Sequence, residues 1–431
     1  MKSIIEPARE ISVVLEADVI VCGAGPAGIG AALSSARQNM KTVLIEQSGD
    51  VGGVSTTGLM SHWTGDTSGG IYEEILNRSA RPGAPTRQVI DPEHLKTVYL
   101  TMLQEAGVIL RSYSFASVPI VEENSVKGVI IESKSGREAI LGKVLIDASG
   151  DGDMAVKAGV PYTKGRPEDG KMQPASLMFK IAGVHEDEIS FPLPGAFEEN
   201  PETPNGRIQD LGRLHMPEPL GHVLLYRSAY PGVITVNMTN LPDVDGTKAE
   251  ELTRAHLECR KQMEEIIAFL RAYVPGFEDC YAISSASVIG IRETRHLKGM
   301  KTLTEDDVLN ARVFPDWAVS GAHFNFDVHN ITGSGLDATG VQKHFPQKRQ
   351  YTIPYGCLVP EEVDGLLFAG RCISGTHMAH SSYRVMPICI NMGQAAGIAA
   401  ALAVKHGISP RDISVSELQQ LLLENGMQDP S

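Results

Sequence analysis

The fold of this chain is decided by residues 17–47, which read ADVIVCGAGPAGIGAALSSARQNMKTVLIEQ. Residues 18–22 form a short apolar run typical of a strand, and residues 26–37 are rich in the small residues of a closely packed helix. A second strand follows at residues 42–45. Because a Gly-x-Gly-x-x-Gly turn joins the first strand to the helix, the stretch predicts a βαβ unit that binds a dinucleotide.

Each glycine of this unit has a physical reason. Gly23 permits a tight turn, Gly25 lets the backbone approach a pyrophosphate, and Gly28 lets the helix pack against the strand. The N–H groups at the helix start then receive the phosphates. Glu46 ends the second strand, where its carboxylate can accept hydrogen bonds from ribose hydroxyls and disfavours a 2′-phosphate. A lone glycine motif is often only a turn, but the complete unit favours the cradle.

Composition excludes several classes of function. The 431 residues exceed one ordinary core and predict two domains, and 42% hydrophobic and 21% charged residues are typical of a globular protein. The net charge of −14 and the lack of clustered Lys and Arg argue against a nucleic-acid surface. Whether the chain forms a homo-oligomer stays open.

The cysteine spacing indicates whether metal sites are present, and the N-terminal residues indicate the cellular location. The six cysteines include no C-x-x-C pair, so we expect no iron–sulfur cluster, no structural zinc and no other metal, and a reducing cytoplasm. The first residues carry acids where a secretory signal needs an apolar run. No stretch reaches about 18 uninterrupted apolar residues, so we expect no membrane span.

The rest of the chain predicts an α/β fold with a second domain. Residues 71–107 have a helical pattern, residues 108–141 that of a three-stranded β-meander, and VLIDASGDGD from Val144 that of another core strand. The strand at 366–370 and the helix of small residues that follows it resemble the elements of the first domain. This similarity indicates that the chain crosses back to complete that domain. We therefore expect a three-layer, Rossmann-like nucleotide-binding domain, with a parallel central sheet and a β-meander, from residues 1–160 and 356–431.

Residues 161–355 differ in character and predict a β-rich α+β substrate domain. PASLMFKIAGV and HVLLYRSAYPGVITVNM alternate as strands, and Thr247 to Tyr273 is a long amphipathic helix. This region contains no second complete strand, glycine turn and helix for a nicotinamide nucleotide. We therefore expect electrons to leave to a diffusible acceptor.

Motifs at both ends of the chain resemble known flavoproteins. The cradle, the doublet Gly52-Gly53 and the Ala148-Ser149-Gly150 turn are similar to those of the glutathione-reductase-like FAD-binding superfamily. GIRETR at 290–295, AGRCIS at 369–374 and THMAHSSYRVMP at 376–387 resemble a bacterial FAD-dependent oxidoreductase family. The wider superfamily has Gly-Asp near the ribityl chain where this sequence has Gly370-Arg371, so the group that holds the ribityl stays open.

The resemblance implies non-covalently bound FAD and a set of contact residues. A helix beginning near Pro387 would direct its positive end at the pyrimidine edge of the flavin. The implied FAD contacts are Gly23, Gly25, Pro26, Ala27 and Gly28 for the pyrophosphate, Glu46 and Gln47 for the ribose, Ala116 for the adenine, Gly53, Val54 and Ser55 beside the flavin, Ser149, Gly150 and Asp151 over the ADP half, and Gly370, Arg371, Met386, Pro387 and Ile388 at the ribityl and pyrimidine ends.

Histidines are the candidates for proton transfer. His377 and His380 are three residues apart and could share one face of a helical turn, and His62 follows the glycine doublet. Any one of them could instead be a structural histidine, but we expect at least one to contact the substrate.

Three arginines are candidates for substrate binding. Arg292, Arg295 and Arg384 offer guanidinium donors to a carboxylate or a polyol. The alternative for each is an ion pair, with Glu293 or another acid, that joins the two domains.

Two other features carry less weight. His323, Asp327 and His329 are metal-ligand residue types, but their spacing is irregular and we expect no metal there. GSGLDATG at 333–340 follows no suitable strand and is expected to be a mobile loop over the active site rather than a second cradle.

The sequence therefore predicts an FAD-dependent oxidoreductase that passes hydride from a polar small-molecule substrate, such as a sugar derivative, to the flavin. Reduction of an activated double bond and flavin monooxygenation are the alternatives within enzymes. An FAD-stabilised binding or nucleic-acid-modifying module is the alternative outside them.

Overall fold

The computed structural model describes residues 2–189, 200–331, 333–335 and 349–430, and the backbone of residues 195–196. The helices are α1 (Pro26–Arg37), α2 (Gly70–Ser79), α3 (Pro92–Glu105), α4 (Asp153–Lys157), α5 (Ile208–His215), α6 (Ala249–Tyr273), α7 (Glu305–Leu309), α8 (His377–Tyr383), α9 (Met386–His406) and α10 (Val415–Glu424). The strands are β1 (Val13–Cys22), β2 (Thr42–Ile45), β3 (Ile109–Arg111), β4 (Ser114–Glu122), β5 (Ser125–Ser133), β6 (Gly136–Asp147), β7 (Tyr162–Lys164), β8 (Phe179–Ala182), β9 (Gly195–Ala196), β10 (Glu202–Thr203), β11 (Gly206–Arg207), β12 (Leu224–Arg227), β13 (Ile234–Val236), β14 (Tyr281–Ser285), β15 (Arg295–Leu297), β16 (Trp317–Ala322), β17 (Tyr351–Pro354) and β18 (Leu366–Phe368).

The central sheet has the order β3-β2-β1-β6-β5-β4, and β18 pairs with β6 beyond the end of β5. Pairs β1/β2, β1/β6, β2/β3 and β6/β18 are parallel, whereas β4, β5 and β6 form an antiparallel meander. The long strand β6 serves both parts, since its first half pairs with β5 and its second half with β18. The predicted α/β, Rossmann-like class with a meander is confirmed, and the C-terminal strand joins the N-terminal sheet.

Helices α1 and α9 pack closely against each other and against β1 and β6. A Cβ on Gly393 would lie 1.9 Å from the carbonyl oxygen of Ala27, so only glycine permits this approach. By length and composition α9 is the one helix among the described residues that could cross a membrane, but 94% of its most apolar stretch is buried inside the protein. Its burial is that of a core helix.

A second sheet with the order β14-β8-β13-β12-β9 is antiparallel throughout. Its apolar side chains share a core with α6, including Phe179, Leu225, Ile266 and Phe277. The predicted strands and the long helix of this region are therefore present, and α6 begins two residues later than the periodicity predicts.

Two details differ from the sequence prediction. Residues 71–107 form two helices, because Asp91 accepts a hydrogen bond from the backbone N–H of His94 and starts α3 at Pro92. In addition, β15, α7, β16 and β17 contribute Leu297, Val308, Val319 and other side chains to the core of the nucleotide-binding part. The division at residue 355 does not follow this packing, since these elements lie with the first core rather than the second.

Candidate active site

Three glycine-containing turns lie together at the carboxyl edge of the central sheet. β1 and β18 both pair with the end of β6, so that Cys22 and Phe368 each lie opposite Asp147. The turns that follow these strands carry the cradle, the ASGDGD segment and the AGR segment. Because ligands of open parallel sheets bind at this edge, the predicted cofactor contacts converge on one place.

The first turn leaves the start of α1 open. A Cβ on Gly28 would lie 1.8 Å from the carbonyl oxygen of Gly23, so the helix packs directly on the turn. Gly25 is the N-cap of α1, no side chain caps the helix, and no described atom lies within 4 Å of the position a Gly25 Cβ would take. Pro26 is the first helical residue and needs no acceptor. The open helix N-terminus fits a pyrophosphate.

Glu46 is tied to both neighbouring segments. Its carboxylate accepts hydrogen bonds from the backbone N–H of Ala24 at 2.9 Å and from the N–H and hydroxyl of Ser48 at 2.8 and 3.0 Å. The carboxylate therefore also fixes the glycine turn, a function that the sequence prediction missed. Its backbone carbonyl accepts from the N–H of Ser114, which lies two residues before Ala116 in β4. Gln47 is exposed.

The glycine doublet lies against the first turn. A Cβ on Gly53 would lie 3.1 Å from the Cα of Gly25. Val54 is 37% exposed, whereas Ser55 is fully buried and its hydroxyl bonds the Gly52 carbonyl at 2.7 Å and the Tyr99 hydroxyl at 3.2 Å. The side chain of Ser55 therefore binds groups in the interior, and its N–H also donates to the Gly52 carbonyl at 3.1 Å.

The second turn is organised by Asp147, a buried carboxylate that the sequence prediction missed. It accepts hydrogen bonds from the N–H and hydroxyl of Ser149 at 3.0 and 2.7 Å, and from the N–H of Ala155 at 2.8 Å. Burial raises the pKa of Asp147, and these hydrogen bonds oppose that rise. An acid directly at the end of a buried strand is the signal that could have found it.

Arg371 binds protein groups at the third turn. One guanidinium nitrogen lies 3.0 Å from the Asp151 carboxylate and another donates to the Ile291 carbonyl at 2.6 Å. Asp151 also accepts from the Thr294 hydroxyl at 2.6 Å. Arg371 therefore joins the Gly370 turn to the ASGDGD turn and to the GIRETR segment.

The start of α9 is open like that of α1. Val385 is its N-cap, no side chain caps it, and no acid lies in its first turn. Met386 and Pro387 begin the helix as predicted, while Ile388 is fully buried. The N-terminus of α9 therefore fits a partly negative group, bound through backbone atoms rather than through the Ile388 side chain.

Glu293 connects two histidines in the interior next to these turns. Its Oε1 lies 2.6 Å from Nδ1 of His377 and 2.8 Å from Nε2 of His296, and its Oε2 accepts from the backbone N–H of Gln173 at 3.1 Å. Burial would raise the pKa of Glu293, but the hydrogen bonds of His296 and His377 outweigh it and hold that pKa well below its usual range. Glu293 is therefore an ionised, buried acceptor.

His377 and His380 both lie on α8, but they have different surroundings. No described residue hydrogen-bonds to Nε2 of His377, whose Nδ1 faces Glu293. His380 is buried with its ring against His296 and Tyr383, at centroid distances of 4.8 and 5.5 Å. Burial, and then the neighbouring His296, lower the pKa of His380 well below its usual value. Glu293, His296 and His380 place ligand atoms within 4.8 Å of one another, and Glu293 already has imidazole partners there.

Arg292 and Arg384 lie close enough for their charges to interact. Arg384 donates to the carbonyl and the carboxylate of Asp327, both at 2.9 Å, whereas the described acceptor of Arg292 is the Pro174 carbonyl at 2.6 Å. Burial, and then the charge of Arg384, lower the pKa of Arg292 to about 10. Arg292, His222 and His329 line a pocket that we term the arginine pocket, and Arg384 and Asp327 lie beside it.

The histidines of the arginine pocket are neutral. Burial is the main reason that the pKa of His222 and that of His329 both fall to about 4, and neighbouring positive groups add to it. The carboxylate of Asp327 lies 3.5 Å from Nε2 of His329.

His323, Asp327 and His329, the three residues considered as metal ligands, do not form one cluster. The backbone of His323 pairs with that of Asp66. Ser334 and Gly335 line the pocket, and residues 336–340 of the expected loop lie outside the described residues.

Arg295 was a substrate candidate and lies elsewhere. Its guanidinium bonds the Asp153 carboxylate at 2.7 Å and the Asp151 carbonyl at 2.8 Å, and lies over the ring of Tyr162. The expected ion pair exists, but its acid is Asp153 and not Glu293, because Glu293 faces the histidines.

His62 is held within its own loop. Its Nδ1 lies 2.8 Å from the Ser61 hydroxyl, its Nε2 lies 3.3 Å from the Thr64 hydroxyl, and its ring lies 5.0 Å from that of Tyr226. Burial lowers its pKa. The described contacts of His62 do not include Glu293, so the structure does not join the three histidine candidates in one network.

The parallel strands of the central sheet lead to two uncapped helix starts, an acid suited to a ribose and a buried polar site beside them. This combination is typical of a dinucleotide-dependent oxidoreductase. The chain belongs to the FAD dependent oxidoreductase family, whose family model matches residues 18–422. It is therefore an FAD-dependent enzyme, and the observed cradle fits that cofactor.

Solved structures similar to this chain are distant. One is a geranylgeranyl bacteriochlorophyll reductase-like protein from Thermoplasma acidophilum, with 15% identity, coverage of 96% of this chain and 84% of that chain, and a TM-score of 0.48. Another is the flavin-dependent brominase Bmp2, with 12% identity, coverage of 95% and 83%, and a TM-score of 0.48. A third is p-nitrophenol 4-monooxygenase from Pseudomonas putida DLL-E4, with 10% identity, coverage of 95% and 86%, and a TM-score of 0.48. No curated protein matches the sequence.

Proposed function

We propose that the protein is a dehydrogenase that removes hydride from a hydroxyl- or amine-bearing carbon of a polar small molecule, such as a sugar derivative. The observation that carries this proposal is the pairing of His377 Nδ1 with Glu293 Oε1 at 2.6 Å. Oxidation of such a carbon releases a proton as well as a hydride, so the site needs a base. FAD supplies the two-electron chemistry when bound.

His377 meets the requirements of that base. Since Glu293 is ionised and acceptor-only, its hydrogen bond to His377 assigns the proton of the neutral imidazole to Nδ1. Nε2 then carries the lone pair, and no described residue occupies it. Glu293 also stabilises the imidazolium that forms when Nε2 takes a proton from the substrate.

The placement of α8 brings this base close to the expected cofactor edge. His377 follows the AGRCIS turn, and α8 ends immediately before the open start of α9. Arg371 ties the same turn to Ile291, two residues before Glu293. These links support a flavin bound as in the glutathione-reductase-like superfamily, with His377 on the substrate side.

We further propose a diffusible electron acceptor and a cytoplasmic enzyme. All strand pairs made within residues 161–355, in the part that the structure describes, are antiparallel. They therefore offer no second parallel βαβ cradle of the kind that binds nicotinamide nucleotides. The net charge of −14 supports a small-molecule substrate rather than nucleic acid.

The test is anaerobic mixing of the FAD-loaded enzyme with a panel of sugars, sugar acids, hydroxy acids and amines, followed by flavin absorbance. We expect a member of the panel to bleach the flavin. His377→Ala should retain FAD and slow this reduction about 100-fold, because proton transfer to a positioned base contributes roughly that much. His406→Ala is the matched control, since His406 pairs with Glu417 on an exposed face.

Two results would contradict the proposal. Equal reduction rates for His377→Ala and the control would assign His377 to structure. Failure of the whole panel, together with rapid reoxidation of the pre-reduced enzyme by an enone, would instead identify a reductase of activated double bonds.

A further inference from the structure

The arginine pocket lies next to the Glu293 centre and carries excess positive charge. Of the described residues that line it, Arg292 is the one cation and none is a carboxylate, whereas Arg384 lies beside it and is paired with Asp327. The two histidines are neutral at pH 7. At its outer side, Arg213 is paired with Asp210, and the exposed Glu218 lies near Gly333. Arg292 is half-buried, and a cation in such a site without a matching anion is unfavourable unless a ligand supplies the charge.

Polar atoms without protein partners lie in the pocket and beside it. In the described part of the chain, Oδ1 of Asn237 in the pocket lining is buried and lacks a hydrogen bond, and so are Nε2 of Gln173 and Nε of Arg384 next to it. The Pro174 carbonyl is the one acceptor found there for the five N–H groups of Arg292. Buried polar groups are normally satisfied, so this set indicates a ligand that accepts several hydrogen bonds and donates at least one.

A direct link joins the pocket to the proposed base. Gln173 donates its backbone N–H to Glu293, while its side-chain oxygen accepts from Arg384 at 3.4 Å and from the backbone N–H of His329 at 3.2 Å. Arg292 and Glu293 are also consecutive in the chain. Gln173 and the chain itself therefore connect the arginine pocket to the carboxylate that holds His377.

We propose that Arg292, together with Arg384, His222 and His329, binds an oxyanion of the substrate, and that Asn237 accepts a hydrogen bond from a substrate hydroxyl. The substrate class is then a hydroxy acid or a phosphorylated polyol rather than a neutral polyol. This inference rests on the proposed function for calling the ligand a substrate, whereas the anion site itself does not depend on it.

The test uses the FAD-loaded enzyme and matched probes at constant ionic strength in sodium chloride. D-gluconate and D-glucitol share a carbon chain and differ in the carboxylate, and inorganic phosphate tests the other oxyanion. Melting temperature and the flavin difference spectrum are measured against probe concentration. We expect saturable stabilisation by gluconate, phosphate or both, and none by glucitol.

Variants test whether the stabilisation by oxyanions arises at Arg292. Arg292→Met should weaken oxyanion binding at least about 10-fold, because hydrogen bonds to charged groups contribute more than neutral ones. Arg292→Lys retains the charge and should weaken binding less, and it serves if the methionine variant does not fold. Arg260→Gln is the matched control on the exposed side of α6, where Arg260 bonds His256 and Ser285.

The possible outcomes test the anion site and the proposed dehydrogenase reaction separately. Stabilisation by gluconate alone assigns a carboxylate, and stabilisation by phosphate alone assigns a phosphorylated substrate. No stabilisation beyond sodium chloride, or equal stabilisation of Arg292→Met, overturns the anion site even if a neutral polyol bleaches the flavin. Oxyanion binding that Arg292→Met abolishes, combined with failure of the whole panel to reduce the flavin and rapid reoxidation by an enone, keeps the anion site and rejects the dehydrogenase.

Discussion

Replacing Arg292 with methionine should stabilise the protein when no oxyanion is present. The pKa of this guanidinium falls from 12.5 to about 10 through burial and the neighbouring charge of Arg384. Since 1.36 kcal/mol corresponds to one pKa unit, the folded protein holds this cation at pH 7 at a cost of roughly 3 kcal/mol. Most proteins tolerate such a cost only where the group serves function.

The substitution also removes a favourable contact. Arg292 donates to the Pro174 carbonyl at 2.6 Å, and a hydrogen bond from a charged donor contributes about 1.5 kcal/mol or more. The net gain expected for Arg292→Met is therefore at most about 1.5 kcal/mol. With an unfolding entropy of roughly 2.1 cal/mol/K per residue over 431 residues, that corresponds to a rise in melting temperature of up to about 2 °C.

Thermal unfolding in chloride buffer with saturating FAD measures the effect, and Arg295→Met is the matched control. Arg295 is three residues away and bonds the Asp153 carboxylate at 2.7 Å, which raises its pKa against the effect of burial. Its loss should lower the melting temperature. If Arg292→Met lowers the melting temperature to the same extent, Arg292 is a structural partner and the charge imbalance deduced for the arginine pocket is wrong.

Two further predictions concern the cofactor and the pH. Gly25→Leu should yield a colourless protein that does not take up added FAD, because the side chain would occupy the open space before the start of α1; a yellow variant would show that the pyrophosphate lies elsewhere. The unfolding free energy should fall as the pH decreases from about 6.5 to about 4, because His222 and His329 stay neutral in the folded state to a pKa of about 4 while the unfolded chain already binds protons at 6.5. His222→Gln should reduce that slope by up to about 1.4 kcal/mol per pH unit, and an unchanged slope in chemical denaturation would place His222 in contact with solvent.

Local sequence determined the cofactor cradle and the class of the fold. The turn at Gly23, the helix α1 and Glu46 lie within 31 consecutive residues, and each has a local requirement that few residue types meet. The small residues of α9 likewise predict a closely packed helix. The sequence prediction missed Asp147 as the organiser of the second turn, because its function depends on the later N–H of Ala155.

Tertiary structure alone decided which of the candidate residues act together. Glu293 faces His377 rather than Arg295, and Arg371 faces Asp151, although 84 and 220 residues separate these partners along the chain. No periodicity or spacing reports such contacts, since each joins segments that are far apart in the sequence.

The charge states in the arginine pocket are also a property of the folded protein. In the sequence, Arg292, His222 and His329 are ordinary titratable residues with ordinary pKa values. Burial and mutual proximity lower the pKa of the arginine to about 10 and those of both histidines to about 4. The sequence therefore determined that an ADP-containing cofactor binds, because that requirement is local, whereas the charge offered to a substrate depends on desolvation that only the packed structure creates.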